Sequence, residues 1–166
     1  MKYSLKRSLL SESYTPLEEH PLYKELIKGA SRASASSWSA VVIYDHPSDG
    51  CSSYMHLVSH EEDPSHPNGI WVDKLEVVNT KTRHADPSCF RKGYARQALE
   101  QLVRAADVTR THLTLIAAHE PYLSRMHPHI DFPDKEELAA LYEDYGFFEE
   151  FSNFAQVKMN RDPRQS

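Results

Sequence analysis

The sequence predicts a single domain of the mixed α/β (α+β) class, and three observations carry that prediction. Stretches rich in β-branched and aromatic residues recur at 38–44, 51–58, 70–78 and 112–118. Two other stretches, 91–106 and 134–145, change to helical spacing of their apolar residues. The two kinds interleave along the chain, which places helices against a mixed sheet. At 166 residues there is enough chain for one core and too little for two comfortable ones.

In chain order, residues 2–8 alternate well enough for a first strand, with Tyr3 and Leu5 on one face. Leu22 to Lys28 read as a short helix opened by Pro21 and stopped by Gly29. Ser31 to Ser37 form a Ser/Ala-rich connector. The strands 38–44 and 51–58 flank the turn cluster Asp45 to Gly50, a hairpin signature. His60 to Gly69 is a loop, Ile70 to Val78 a long central strand, and Asn79 to Phe90 a polar loop.

From Arg91 the period becomes helical, with Ala95, Ala98, Leu99, Leu102, Val103 and Ala106 on one face. The strand 112–118 follows, and the unit 70–118 has room for a parallel crossover. Residues 119–133 are irregular. Asp134 with Glu137 three positions on makes a helix start, Leu138, Leu141, Tyr142 and Tyr145 give its stripe, and Gly146 ends it. Phe147 to Met159 is a final β pair. Residues 1–160 thus form one domain, and 161–166 are expected to be a flexible tail.

Composition narrows the function classes. A hydrophobic fraction of 40% and a charged fraction of 26% belong to an ordinary water-soluble protein. No run approaches the roughly 18–20 apolar residues of a membrane span, and Met1 to Arg7 is charged without an apolar stretch behind it, so no secretory signal is expected there. Cys51 and Cys89 lie far apart without a motif and read as reduced, which suits a cytoplasmic protein. The net charge of −5 disfavours a nucleic-acid partner and suits a cationic one.

Arg91-Lys92-Gly93-Tyr94-Ala95-Arg96 opens a helix directly after a strand and loop. The first turn of a helix offers unpaired N–H groups and the positive end of the dipole, a natural phosphate seat. Gly93 lets a ligand approach the backbone, and Ala95 is small enough to keep the helix near the sheet. The spacing fits neither a nucleotide P-loop nor the dinucleotide glycine triad. The second informative stretch is Leu141-Tyr142-Glu143-Asp144-Tyr145-Gly146-Phe147.

Together and in this order, the two stretches resemble the GNAT acyltransferase superfamily over roughly residues 70–150. The Arg/Gln-x-x-Gly-x-Gly/Ala loop of that family maps onto Phe90 to Ala95, and its Leu-Tyr-x-x-x-Gly-Phe helix end onto Leu141 to Phe147. This chain departs from the pattern at Phe90, in its longer 79–90 loop, in its expanded 119–133 segment, and at Lys135, where many relatives have Asn.

The resemblance implies a mixed, mostly antiparallel central sheet flanked by helices, with the parallel crossover around the cofactor. It implies an N-acetyltransferase with acetyl-CoA as co-substrate, its pyrophosphate on the amides of Arg91, Lys92, Gly93, Tyr94, Ala95 and Arg96. The pantetheine arm would lie along Val77 and Val78, with an N–H near Val77 facing the thioester oxygen. Tyr142 matches the tyrosine that protonates the departing thiolate. The acceptor would be an amine of a small molecule or a protein; a homodimer is left open.

An alkylamine with a pKa of about 10.4 must lose a proton before it attacks. Glu76, Asp73 and His119 are the candidate bases. Glu76 and Asp73 stand three apart, so an ideal strand turns them to opposite faces and lets only one serve. His127-Pro128-His129, with His119 and Asp131, matches no zinc spacing, so no metal set is expected, and His46, His56, His60, His66 and His84 read as loop residues. Phe147 to Phe151 and Phe154 give an aromatic, acidic end that could border the acceptor, although alternating aromatics in a strand more often face a core. Two other readings share the fold: a non-catalytic CoA-binding or regulatory module, and a transferase that acts on a nucleic-acid base or uses another acyl donor.

Overall fold

A computed structural model describes residues 15–60, 65–118, 125–126, 128–129 and 132–164. The elements in chain order are helix α1 (Pro21–Ile27), strands β1 (Arg32–Ala35), β2 (Ser39–His46), β3 (Cys51–Ser59) and β4 (Ile70–Asn79), helix α2 (Tyr94–Thr109), strand β5 (Leu113–Ala118), helix α3 (Lys135–Asp144), and strands β6 (Phe148–Ser152) and β7 (Gln156–Arg161). The seven strands form one sheet in the order β1-β2-β3-β4-β5-β7-β6. Every neighbouring pair is antiparallel except β4 and β5, the ends of the crossover through α2. The mixed, mostly antiparallel α/β class and the parallel crossover expected from the sequence are both present.

One face of the sheet carries the core. Val42, Met55, Leu57, Ile70, Val72, Leu113, Leu115, Val157 and Met159 pack in a single cluster with Leu22 and Leu26 of α1, Leu99 and Leu102 of α2, and Ala139 of α3. All three of these helices therefore cover the same face, and none of them lies on the other. The i, i+3, i+4 spacing of Ala98, Leu99, Leu102, Ala105 and Ala106 makes α2 the central helix of that layer. Ala95, expected to hold the helix against the sheet, is exposed; Ala98, one turn further on, does that instead.

Local chemistry sets the ends of these helices. His20 caps α1 by accepting the Leu22 N–H on Nδ1 at 3.1 Å, with Pro21 at the first helical position. Asp134 caps α3 by accepting the Glu137 N–H at 2.8 Å. Gly146, at φ +92°, turns the chain out of α3 in the left-handed conformation.

Four sequence expectations need correction. The Ser/Ala stretch read as a connector contains β1, whose Arg32–Ala35 pair with Ala40–Ile43 of β2 as a tight hairpin; weak strand propensity is overridden by a neighbouring strand. The expected tail begins with Arg161, which ends β7 fully buried. Cys51 and Cys89 are not reduced thiols but a disulfide, because a 3-10 turn at Pro87–Cys89 brings Cys89 beside the first residue of β3. That bond removes one ground for a cytoplasmic setting. Phe148, Phe151 and Phe154 are exposed rather than core, since β6 is an edge strand; only Phe147 is buried. The strand expected at 2–8 lies outside the described residues.

Candidate functional site

The site begins with a mismatch between two strands. β4 has ten residues, yet pairs with β5 only at Ile70–Val72 against Leu113–Leu115. At the next residue, Asp73, the β3–β4 ladder slips: His56 is opposite Lys74 and Leu57 opposite Val72, so Asp73 is an extra residue in β4. Such a bulge bends and twists its strand. β4 and β5 part at this point, and among the described residues β4 has no strand partner on its β5 side beyond Val72.

A cavity of about 220 Å³ occupies the divergence. Asp73 and Glu76 line it from β4, Ile116 and Ala118 from β5, and Leu138 and Tyr142 from α3. Three of the four candidate catalytic residues thus meet in one cleft. The fourth, His119, lies outside the described residues, as do His127 and Asp131.

The bulge also changes the relation between the two carboxylates. Glu76 stands opposite Tyr54 and shares its face, the face of the sheet without helices. Asp73 reaches His56, on that same face, with Oδ2 2.8 Å from His56 Nδ1. The expected opposition of Asp73 and Glu76 is therefore absent, because the extra residue resets the alternation. His56, read from sequence as a loop residue, sits within β3. A strand histidine next to a bulge has no sequence signal of its own.

Tyr142 is partly buried and makes an edge contact with Phe147, ring centroids 5.7 Å apart. Its hydroxyl has no hydrogen-bond partner among the described residues, and burial pushes its pKa above the ordinary phenol value. It is a protonated phenol on the cleft wall. Lys135, at the family's Asn position, instead donates from Nζ to the Asn153 carbonyl at 2.5 Å, tying α3 to the β6–β7 turn.

The cleft is linked to the start of α2 through Phe132 on its wall, whose ring meets that of Phe90 with centroids 5.5 Å apart. Arg91 and Gly93 have φ of +61° and +80°, and no side chain caps the helix. A Cβ on Gly93 would meet nothing within 4 Å, so glycine is required there by backbone conformation alone. Arg91, Lys92 and Arg96 are exposed.

The loop is held from behind by residues that sequence reasoning missed. Tyr94 stacks on His46 with centroids 3.7 Å apart and donates its hydroxyl to Asp49. Ser53 Oγ donates to the Tyr94 carbonyl at 3.3 Å, and Lys92 Nζ lies 3.4 Å from Asp49. The Tyr94 hydrogen bond, helped by Lys92, holds the Asp49 carboxyl below its ordinary range. Val77 is buried against Tyr94 and the Cys51–Cys89 bond, whereas Val78 faces the side without helices.

Two larger hollows lie elsewhere: one of about 310 Å³ between Arg32, Tyr54 and Arg83, and one of about 380 Å³ beside His20, His66 and His112. Size does not select among the three; of these, only the β4–β5 cleft gathers two carboxylates and a phenol.

No helix among the described residues is long and apolar enough to cross a membrane. No protein-family model matches the chain, and no curated protein matches it. Among solved structures the chain is similar to the crystal structure of PH1933 from Pyrococcus horikoshii OT3, at 13% identity and a TM-score of 0.43, over 86% of this chain and 70% of that one. A likeness so distant carries no argument about function.

Proposed function

We propose that this chain is an acyl-CoA-dependent N-acyltransferase that moves an acetyl group from acetyl-CoA to an amine, of a small molecule or of a protein. The observation that carries the reading is the divergence of β4 from β5, with Asp73, Glu76 and Tyr142 on the cleft and the loop before the Gly93 helix start joined to it by the Phe90–Phe132 contact.

Each part has a physical task in this reading. The α2 start offers N–H groups and dipole to the pyrophosphate, with Arg91, Lys92 and Arg96 adding positive charge. The pantetheine amides extend along the open edge of β4 as an added strand would, next to Val77 and Val78. A β4 N–H near Val77 stabilises the oxyanion that develops on the thioester carbonyl. Glu76 or Asp73 takes the proton of the ammonium group, and the freed amine attacks the carbonyl carbon. The N–C bond forms, the C–S bond breaks, the thiolate takes its proton from Tyr142, and the second proton shed by the nitrogen as it becomes an amide returns to the phenolate. Holding both reactants in one cleft supplies much of the remaining rate.

Calorimetric titration with acetyl-CoA, with free CoA and ATP as controls, tests the reading. Saturable binding of acetyl-CoA and CoA, lost in Gly93→Glu, is the expected result. Absence of binding at millimolar acetyl-CoA would sink it. Binding without turnover across an amine screen would leave the non-catalytic module in its place.

A further inference from the structure

A second constellation lies at the end of β5 away from the cleft. His112, just before β5, is buried, and its Nδ1 lies 2.9 Å from Oδ1 of Asp162, just after β7. Its Nε2 lies 3.3 Å from Oδ1 of Asn160. The Asn160 amide is oriented by its neighbours: Nδ2 donates to Glu150 at 2.5 Å, and a carboxylate can only accept. Thr114 Oγ1 donates to the same Asn160 Oδ1 at 2.8 Å. That oxygen also only accepts, so the hydrogen of a neutral His112 ring sits on Nε2.

Nδ1 of His112 then presents a lone pair to a carboxylate oxygen at hydrogen-bond distance. Two acceptors this close need a cation between them. His66 brings a second imidazole to the same point: its Nε2 is 3.9 Å from Asp162 Oδ1, and its ring stacks on His112 with centroids 3.6 Å apart. One ligand atom from each of the three residues falls within 4.8 Å of the others.

We propose that His66, His112 and Asp162 form a binding site for a divalent cation of the zinc type, outside the acyl-transfer cleft. Tetrahedral zinc with bonds of about 2.0–2.1 Å spaces its ligand atoms about 3.3 Å apart. The observed 2.9 and 3.9 Å fall on either side of that spacing. A single proton would answer only the His112–Asp162 pair, whereas a metal uses all three donors. Imidazole nitrogen is a ligand that suits zinc, and the hydrogen bond from the far ring nitrogen to Asn160 is the outer support that orients such a ligand.

The ligands belong to three segments, so the ion would clamp the 65–69 loop and the chain end after β7 to the start of β5. His66 must tilt out of its stacked orientation to bring the metal into its ring plane; it lies partly exposed in a loop. His20 is no ligand, because Nδ1 accepts from Leu22 and Nε2 donates to the Asn68 carbonyl. Among the described residues that line the same hollow, Arg110 carries an opposing charge. Three protein ligands leave a fourth position open to that hollow, for water or an added ligand.

The test is a titration of chelator-stripped protein with Zn²⁺ against a chromophoric competitor. One tight equivalent is expected, with affinity falling at least about 10-fold in Asp162→Asn and in His66→Ala. Asp162 is 64% exposed, so its variant keeps the fold. Cobalt in place of zinc should give the visible bands of a tetrahedral ion, lost in the same variants. Absence of binding at micromolar Zn²⁺, with His112 doubly protonated by NMR, would assign the shared cation as a proton and overturn the proposal. Undiminished affinity in Asp162→Asn would overturn it too. Neither outcome touches the acyltransferase reading.

Discussion

Arg161 and Asp107 meet in a two-pronged ion pair, Nη1 to Oδ1 at 2.7 Å and Nη2 to Oδ2 at 3.0 Å, that fastens the end of β7 to α2. Arg161 is 1% exposed and also donates from Nε to the Tyr145 carbonyl, so one side chain joins β7, α2 and the end of α3. Removing only the carboxylate strands a buried guanidinium. Asp107→Ala should therefore cost about 3–5 kcal/mol in urea unfolding. The double variant Asp107→Leu with Arg161→Met should cost distinctly less, since no charge is left buried. Equal losses would mean that the pair acts through packing alone.

The same pair sets an acid limb of stability. Burial alone would raise the Asp107 carboxyl, but the Arg161 hydrogen bonds and charge, with the Arg164 N–H, hold it below the ordinary value. A carboxyl with a depressed folded pKa contributes fully above its unfolded value of about 3.9 and loses that contribution as pH falls through the folded value. Urea midpoints of the wild type and Asp107→Asn should differ most at neutral pH, with the gap narrowing as pH falls below about 4. A gap that does not narrow on acidification would contradict this.

The Cys51–Cys89 bond closes a loop with a sequence separation of 38 and ends one residue before Phe90, at the root of the Gly93 loop. By chain entropy, a loop of this length is worth up to about 4 kcal/mol. Reduction, or Cys89→Ser, should lower the melting temperature and weaken CoA binding together. Thermal melts with and without reductant, followed by calorimetry on the same samples, check both. A lower melting point with unchanged CoA affinity would detach the bond from the loop.

Much of this architecture is legible in the sequence because it rests on local patterns. The spacing of Leu99, Leu102 and Ala106 predicts α2, and Asp134 and Gly146 mark the limits of α3. What is not legible depends on contacts between distant segments. No local signal says that Asp73 is an extra residue in β4, yet that residue turns Asp73 and Glu76 to one face and opens the cleft. Cys89 reaches Cys51 only after an irregular loop folds, and Arg161 is told from a tail residue only by Asp107, fifty-four positions away. His46 and Asp49 support Tyr94 across the β2–β3 turn, a relation that only tertiary structure creates.

Tyr142 is the sharpest test of mechanism. Its phenol is shielded by burial and carries a raised pKa, so it stays protonated through the neutral range and past the ordinary value of about 10. Tyr142→Phe keeps the ring contact with Phe147 and removes only the hydroxyl that carries the proton. Turnover should fall about 10²-fold or more, with CoA affinity within a few-fold of wild type. The wild-type rate should show no alkaline decline below about pH 10 that the variant lacks. Unchanged turnover in Tyr142→Phe would remove this residue from the chemistry.

Glu76 and Asp73 share a face, so the side of the sheet does not choose the base; position along β4 does. Asp73 is engaged by His56 Nδ1 at 2.8 Å, which makes it better suited to orient His56 than to collect a proton from substrate. Glu76 lines the same cleft one turn of the pleat nearer Val77, where the thioester is expected. Glu76→Gln should lower kcat/KM about 10²-fold with an amine acceptor and remove the acid limb of its pH profile. Asp73→Asn should cost less, because the amide can still accept a hydrogen bond from His56. The pH dependence of kcat/KM for both variants separates the roles. If Asp73→Asn proves the more damaging and Glu76→Gln is near neutral, the His56–Asp73 pair is the base, with Asp73 holding the imidazole that takes the proton.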